Sequence, residues 1–462
     1  HRLWQDTLTL QFHDILPGSS IKKVYEDSDA MYAAMGRTLE GIRAEALAAL
    51  SEEAADTVSF ANTLSFRRDD VVWFDAPEWV KSLRAPDGTL APVQRVDGKC
   101  CAFVRGLPAF SETAYAFSAE EVSGEHVSIS REGFETPAFS GKFDGHMGIV
   151  SLYDKRARRE VARPGEALNR IVCYENKPHN YDAWDINIYY ARRHWAVDDV
   201  EAVEVVACGP VAARLRVRYR YMNSTIDQFV TVYRDIDRID FDTRVDWKER
   251  QYLLKAHFAT DVFYNEATYD IQYGNVRRPT HKNTSWDEAR FEVCAHKWMD
   301  VGEEGYGVSL LNDCKYGHSA DDRGIALTLL KSSTSPDPDA DQCLHAFTYS
   351  LMPHEGSWRG AGTANMAARL NTPVIALENR RAMAPAFVSV NAENVTVEVV
   401  KNALDGNGLI VRLYETFGRR TQGAVLSLGF GAAEIYECNL LEEPLHKLDL
   451  IERSIAFNLR PY

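Results

Sequence analysis

Residues 11–20, QFHDILPGSS, place a histidine and an aspartate at the break between two predicted helices. Pro17 and Gly18 are expected to stop the first helix, because proline lacks a backbone N–H and glycine readily adopts left-handed conformations. His13 and Asp14 therefore lie at a helix end, where their side chains can project into a neighbouring cavity. The helix before them is indicated by apolar residues at helical spacing, namely Leu3, Trp4, Leu8, Leu10 and Phe12.

The His13–Asp14 pair has two interpretations. A neutral imidazole beside a carboxylate suits a borderline divalent cation such as zinc, so both residues are candidate metal-site groups. Alternatively, His13 caps the carbonyl groups at the helix end and Asp14 is an ordinary turn residue. The dipeptide by itself does not decide between them.

The next segment, residues 21–50, has apolar residues every three or four positions, which predicts one amphipathic helix. We expect its apolar face to be buried against other helices, as the tail of a helical bundle. That face consists of Ile21, Val24, Tyr25, Ser28, Tyr32, Met35, Leu39, Ile42, Ala46 and Leu50.

From about residue 57 the pattern changes to short alternating runs separated by turns, which is typical of antiparallel β-sandwiches. The run ARLRVRYRYM (213–222) alternates arginine with apolar residues, as in a strand with one solvent-facing side. The DGNG sequence at 405–408, between VTVEVVK (395–401) and LIVRLYE (409–415), predicts a β-hairpin.

The predicted fold class is mainly β with a short N-terminal helical segment. A chain of 462 residues is expected to contain several domains. We assign a helical tail to residues 1–50, a small β-sandwich to 51–130, a large β-supersandwich to 131–372, and a C-terminal β region to 373–462.

The composition limits the partners of the chain. Its net charge is −15, which argues against nucleic acid or an anionic membrane surface. We see no apolar run approaching the roughly 20 residues that a membrane-spanning helix needs. The eight cysteines are scattered without a CxxC spacing, so we expect most of them to be reduced, buried thiols and the location to be cytoplasmic.

The sequence resembles glycoside hydrolase family 38, the class II α-mannosidases, in its cytosolic and vacuolar branch. QFHDILPGSSI followed by VYED resembles the middle-domain motif of that family. Further similar stretches are GIVSLYDKRARREV (148–161), YDAWDI (181–186), DFDTRVDWKERQYLLKAHF (240–258), YDIQYGNVRRPTHKNTSWDEARFEVCAHKW (269–298), YGVSLLNDCKYGHS (306–319) and FTYSLMPHEGSW (347–358).

The resemblance implies roles for the first motif. His13 would be a ligand of the active-site metal, most readily zinc, with cobalt as an alternative. Asp14 would lie against the metal and the sugar. The family's catalytic barrel precedes this motif and supplies the other ligands, the nucleophile and the acid/base. Because the chain starts at His1, without an initiator Met, we expect a C-terminal piece that is inactive alone.

The resemblance also implies an overall function and architecture. The parent protein would be a retaining α-mannosidase that removes terminal α-mannose from oligosaccharides, with the missing N-terminal catalytic domain as a partner. A helical middle domain would precede β domains, including a supersandwich like that of galactose mutarotases. We expect a homo-oligomer. The alternative is a non-catalytic carbohydrate-binding or structural module.

Two further segments carry candidate substrate contacts. In YDAWDI, Tyr181 resembles a family tyrosine that reaches the mannose, although an aromatic residue in a sandwich is usually a core residue. The same two interpretations apply to Trp184. For Asp182 and Asp185, turn capping is favoured over metal ligation. In NDCKYGH (312–318), Lys315 and Tyr316 are candidates because loops on β scaffolds often bear function.

Overall fold

The structure is a computed structural model that describes residues 1–382 and 386–462. Residues 383–385, inside the predicted C-terminal β region, lie outside the described residues. The helices are α1 (Arg2–Leu10), α2 (Lys22–Leu50), α3 (Ser285–Glu288) and α4 (Thr363–Asn371), with a 3₁₀-helix at Ile188–Arg192.

The strands fill most of the chain after α2. In the first part of the chain they are β1 (Ser51–Asn62), β2 (Arg68–Phe74), β3 (Ser82–Arg84), β4 (Leu90–Pro92), β5 (Gln94–Val96), β6 (Lys99–Leu107), β7 (Ser111–Ser118), β8 (Ser128–Ile129), β9 (Gly133–Glu135), β10 (Phe139–Phe143), β11 (Ile149–Asp154), β12 (Arg159–Glu160), β13 (Leu168–Glu175), β14 (His194–Ala196), β15 (Asp199–Ala207), β16 (Ala212–Tyr221), β17 (Ser224–Tyr233), β18 (Ile239–Asp246) and β19 (Tyr252–Phe258). In the second part they are β20 (Glu266–Ile271), β21 (Gly274–Pro279), β22 (Val293–Cys294), β23 (Trp298–Glu303), β24 (Tyr306–Asn312), β25 (Gly317–Asp321), β26 (Gly324–Lys331), β27 (Leu344–Glu355), β28 (Ile375–Ala382), β29 (Val388–Val390), β30 (Val395–Asn402), β31 (Leu409–Glu415), β32 (Thr421–Leu428), β33 (Tyr436–Cys438), β34 (Pro444–Lys447) and β35 (Ser454–Leu459).

The chain folds into two compact units, and each is discontinuous in sequence. The first unit comprises residues 1–49, 126–267 and 278–357. The second unit comprises residues 50–125, 268–277 and 358–462. The division of the sequence into four consecutive domains stays a prediction.

The first unit contains the helices α1 and α2 and two large antiparallel sheets. One sheet has the strand order β22-β25-β26-β19-β13-β11-β10-β9-β8, with β12 paired to β11 and β14 to β13. In the other sheet the order is β15-β16-β17-β18-β27-β24-β23. The two sheets pack through aromatic rings, since Phe258 of the first contacts Phe241 and Tyr349 of the second at centroid distances of 6.0 and 6.1 Å.

The second unit consists of smaller sheets around two apolar cores. A five-stranded sheet, β28-β1-β7-β3-β4, and a three-stranded sheet, β2-β6-β5, enclose Phe60, Phe74 and Leu83. A second core, around Val397 and Leu426, lies between the β29-β32-β35 sheet and the β30-β31 hairpin.

The predicted fold class is confirmed: the chain is mainly β, with a short N-terminal helical segment and sandwich sheets. The run at 213–222 forms β16, in which apolar residues are buried and the arginines alternate on the more exposed side. The hairpin predicted around 405–408 is also confirmed, because β30 pairs antiparallel with β31.

The buried face predicted for α2 is wrong. Within this helix only Ser28 and Met35 are buried, whereas the large apolar residues Tyr32, Leu39 and Ile42 are about half exposed. The contact between the two helices is small, and it includes the Thr7 hydroxyl 3.7 Å from the Met35 sulfur. The apolar spacing correctly predicts a helix, but spacing does not specify whether another surface covers the apolar face of that helix.

The cysteines and helices bear on the environment of the chain. All eight cysteines are free thiols, and three of them, Cys100, Cys101 and Cys173, are buried. Four others are exposed, so the expectation that most would be buried is wrong. Among the described residues, no helix combines the length and apolar character needed to cross a membrane.

Candidate functional site

The His13–Asp14 motif lies in the turn between α1 and α2, as predicted. The turn is closed by a bond from the Ser19 backbone N–H to the Asp14 carbonyl at 3.2 Å. Tyr25, from the first turns of α2, donates its hydroxyl to the same carbonyl at 3.0 Å and accepts the Ser20 backbone N–H at 2.8 Å. The turn is therefore fixed to the helix that follows it.

The two side chains of the motif point to solvent and face one another. The His13 side chain is 74% exposed and the Asp14 side chain 39% exposed. The imidazole Nε2 lies 3.4 Å from one carboxylate oxygen of Asp14, and the Ser19 hydroxyl donates to the other at 3.1 Å. The His13 ring lies 4.5 Å from that of Phe12. Neither side chain is a core residue.

These two side chains fit part of a metal site. They supply one imidazole nitrogen and one carboxylate, whereas zinc commonly takes four donors. Within residues 1–382 and 386–462, no group of three or more His, Cys, Asp or Glu side chains is arranged to hold a metal ion. A complete site at this pair requires further ligands.

A loop of the sandwich, residues 332–343, meets the start of α2. Lys22 forms a 2.7 Å ion pair with Asp339, and Arg250 binds the other oxygen of the same carboxylate at 2.6 Å. Their hydrogen bond is the main reason that the pKa of Lys22 is raised and the pKa of Asp339 is lowered. Burial raises the pKa of Tyr25, and the nearby Asp337 and Asp14 add to that effect. The loop thus lies beside the His13–Asp14 turn.

The YDAWDI segment follows β13 in the same unit and presents two aromatic rings. Tyr181 is 65% exposed and Trp184 is 53% exposed. Their rings meet edge to face, with centroids 5.7 Å apart. Interpretation of either residue as a core side chain is wrong. Tyr181 also has a positive φ of 46°, which is unfavourable for a bulky L-residue and is often found at functional sites.

Asp182 caps backbone groups, as favoured from the sequence, but those groups belong to a distant segment. Its buried carboxylate accepts the backbone N–H groups of Thr334 and Ser335 and the Thr334 hydroxyl, each at 2.8 Å. Burial disfavours its ionised form, but the bonds from Thr334, Ser335 and Gln251 outweigh burial and lower the pKa. The YDAWDI segment is thereby joined to the 332–343 loop that contacts α2.

Lys331, at the end of β26, is a second attachment of the YDAWDI segment. Its ammonium donates to the carbonyl oxygens of Ala183 at 3.2 Å and Asp185 at 3.0 Å. Burial lowers the pKa of Lys331 to about 8, against the opposing effect of Asp182, Asp185 and Asp341. Sequence reasoning missed this residue, because a lysine ending an apolar strand has no local signal for a partner about 150 residues earlier.

Lys315 and Tyr316 lie between β24 and β25. The Lys315 ammonium is 4.5 Å from the centre of the Phe347 ring, and its charge acts on the partly buried Asp341 of the 332–343 loop. Tyr316 is half exposed and contacts the His296 ring at 5.6 Å. Lys315 therefore lies near the 332–343 loop, which also contacts the YDAWDI segment and the start of α2. The roles of Lys315 and Tyr316 in substrate binding stay a prediction.

Comparison with protein families gives three matches along the chain. Residues 1–50 match the alpha mannosidase middle domain. Residues 135–339 match the glycosyl hydrolases family 38 C-terminal domain, and residues 394–462 match the C-terminal beta sandwich domain of the same family.

Individual relatives agree with these matches. The chain is 34% identical to alpha-mannosidase 2C1 of Homo sapiens over 480 residues, covering 100% of this chain and 44% of the human protein. It is 32% identical over 510 residues to alpha-mannosidase G of Dictyostelium discoideum, covering 99% of this chain and 46% of that protein. The chain thus spans about half the length of these relatives.

A solved structure gives the same result for the fold. The alpha-mannosidase from Enterococcus faecalis superposes with a TM-score of 0.78 at 16% identity, covering 100% of this chain and 62% of that one. The fold is consistent with the sequence matches. Those matches show that the chain belongs to glycosyl hydrolase family 38, of which it contains the middle-domain segment and the C-terminal domains.

Proposed function

We propose that the chain is the C-terminal part of a metal-dependent, retaining α-mannosidase that removes terminal α-mannose from oligosaccharides. The observation that carries this proposal is the exposed His13–Asp14 pair, whose imidazole and carboxylate face each other 3.4 Å apart. Ser19 and Tyr25 fix the turn that presents the pair.

The proposal gives each site residue a task. His13 supplies a ring nitrogen to a zinc ion, or to cobalt as the alternative, and Asp14 accepts hydrogen bonds from sugar hydroxyls beside it. The cation, when bound, would hold adjacent hydroxyls of the mannose ring and favour its distorted form. The Tyr181 hydroxyl bonds the sugar, and Trp184 offers its ring face. Lys315 and Tyr316 are proposed as outer substrate contacts.

The nucleophile, the acid/base and the remaining ligands are proposed to come from an N-terminal catalytic domain, so the chain alone is inactive. Support comes from the apolar residues that α1 and the following turn leave exposed: Trp4, Leu8, Phe12 and Leu16 are each 59% exposed or more. A soluble protein rarely leaves so continuous an apolar surface uncovered. The length of the relatives is consistent with a preceding domain.

Two further properties of the whole protein are proposed. The free thiols, together with the resemblance to the cytosolic branch, support a cytoplasmic location. Homo-oligomerisation through the β domains is proposed from the family resemblance.

The test uses the full-length enzyme carrying His13→Ala. We expect loss of most bound metal, measured by atomic absorption, and a fall of at least about a hundredfold in hydrolysis of an aryl α-mannoside, the upper range for disturbing a metal site. His281→Ala is the matched control, because His281 is also an exposed histidine near a carboxylate, Asp287 at 3.7 Å. Normal metal content and activity in His13→Ala would refute the ligand role.

A non-catalytic carbohydrate-binding module is the second candidate, favoured by the exposed Tyr181–Trp184 pair. Calorimetry of the isolated chain with a mannoside, with and without EDTA, separates the two. Binding that EDTA does not change, and that Trp184→Ala abolishes, would support the binding module. Absence of binding supports a pocket that is completed elsewhere.

A further inference from the structure

We propose that Asp182 and Lys331 are positioning residues that hold Tyr181 and Trp184 in the conformation in which they meet the sugar. The inference rests on the proposed function, in which those two rings contact the substrate. Neither Asp182 nor Lys331 touches the substrate in this account. They act through the backbone of the five residues from Tyr181 to Asp185.

The first step is the attachment of this segment by Asp182. Both oxygens of its carboxylate are used, one by the Ser335 N–H and the other by the N–H and hydroxyl of Thr334. The Ser333 hydroxyl donates to the Asp182 carbonyl at 3.0 Å. Bonds to an ionised acceptor are about twice as strong as neutral ones. The aspartate therefore fixes the segment immediately after Tyr181, within the stretch that separates Tyr181 from Trp184.

The second step is the attachment by Lys331. Its ammonium reaches the carbonyls of Ala183 and Asp185, the residues on either side of Trp184. A methionine of similar length would fill the same space without a partly buried charge to desolvate. The lysine is consequently better explained by what it holds than by packing.

The third step is what the two attachments leave free. The backbone of the segment is bonded through Asp182 and Lys331, but Tyr181 and Trp184 remain more than half exposed. The positive φ of Tyr181 persists only if its surroundings impose it. A segment already fixed in its bound form has less conformational entropy to lose when the sugar binds. Loosening it should weaken binding more than it slows the chemical step.

The experiment measures kcat and KM of the full-length enzyme on an aryl α-mannoside for Asp182→Asn and Lys331→Met. We expect KM to rise about tenfold in each variant, the equivalent of one lost positioned bond, with kcat within about threefold. A merely structural role would instead lower the fraction of active enzyme, which reduces apparent kcat and leaves KM unchanged.

A double-mutant cycle connects the effect to the rings. In a background that carries both Tyr181→Phe and Trp184→Ala, Asp182→Asn should raise KM by less than about twofold, because both of the sugar contacts it positions are already absent. The matched controls are Asp144→Asn, which caps His146 and Gly148 in another turn of the same unit, and Lys155→Met. Both should leave KM within about twofold of wild type.

Thr334→Ala covers the case in which Asp182→Asn does not fold, since it removes only one hydroxyl donor to the Asp182 carboxylate. Its KM should rise by about twofold to fivefold. Wild-type KM in Lys331→Met and Thr334→Ala would overturn the positioning role. An effect of Asp182→Asn that persists in full in the Tyr181→Phe and Trp184→Ala background would also overturn it. If wild-type enzyme does not hydrolyse the mannoside at all, the proposed function fails instead.

Discussion

At the scale of single residues, the sandwich core of the first unit contains a closed network of buried polar groups. The Tyr349 hydroxyl donates to the Asn169 side chain at 2.7 Å and accepts from the Gln228 amide at 2.9 Å. Gln228 in turn contacts Asn169 and Thr243. Such a network is favourable only when every member is satisfied.

Removing one hydroxyl from this network should be costly. Tyr349→Phe leaves the Asn169 oxygen and the Gln228 amide each short of one partner in a dry environment. We expect the free energy of unfolding, measured with urea, to fall by about 1–3 kcal/mol. Tyr153→Phe, at an exposed tyrosine, is the control and should change it by less than about 0.5 kcal/mol. Equal midpoints for both variants would show that the network does not stabilise the unit.

Individual residues were predictable from sequence where the signal is local. Pro17 and Gly18 indicated a break between the two helices, and His13 and Asp14 lie in that break, although α1 already ends at Leu10 rather than at Pro17. The exposure of Trp184 was not predictable, because an aromatic residue in a β protein is more often buried. Lys331 was missed because its partners, Ala183 and Asp185, are brought to it only by the tertiary fold.

At the scale of elements, β19 carries a titratable residue into the sheet interior. His257 is partly buried against Tyr174, whose hydroxyl lies 2.8 Å from its Nε2. Burial lowers the pKa of His257 to about 3, and burial likewise lowers the pKa of His318 in β25 to about 4. Both side chains are neutral in the folded protein at pH 7.

These histidines predict acid sensitivity. Between pH about 6.5 and about 4, the unfolded chain binds protons that the folded chain excludes, so stability is lost as the pH falls through that range. Each such histidine contributes a slope of about 1.4 kcal/mol per pH unit. His257→Gln should reduce the slope measured by urea unfolding at several pH values. His146→Gln, at an exposed histidine, should leave it unchanged, and equal slopes in all three proteins would contradict the prediction.

The hairpin between β25 and β26 depends on Gly324. Its φ of 129° is unfavourable for residues with a side chain, and an added Cβ would lie 2.3 Å from the Phe258 carbonyl oxygen of β19. We expect Gly324→Ala to lower the thermal midpoint, at a cost of about 1–3 kcal/mol. Gly145→Ala, where a Cβ meets nothing within 4 Å, is the control and should be nearly neutral. A midpoint equal to that of the control would contradict this prediction, because it would show that the backbone accommodates the added Cβ without strain.

Elements were predicted from sequence more successfully than their surroundings. The alternation at 213–222 and the DGNG turn each specify a local structure, and both formed. The apolar face of α2 is an example of the limit. Periodicity indicated a helix with one apolar side, but Leu39 and Ile42 remain exposed within the described residues.

At the scale of the whole molecule, separate stretches of the first unit come together around one loop. The 332–343 loop bonds Asp182, pairs with Lys22 through Asp339, and lies beside Tyr25 under the His13–Asp14 turn. The proline and aspartate content of this loop indicates irregular structure, but composition does not specify its partners. The motif and the aromatic pair are thus connected through the fold.

The central claim is that His13 reaches a cation in the complete enzyme. The most direct measurement is the visible absorption spectrum of the cobalt-substituted full-length enzyme, recorded for wild type and His13→Ala. Loss of an imidazole ligand should shift or abolish the cobalt bands and weaken cobalt binding by at least about tenfold, with partial recovery on adding free imidazole. An unchanged spectrum and affinity in His13→Ala would contradict the account.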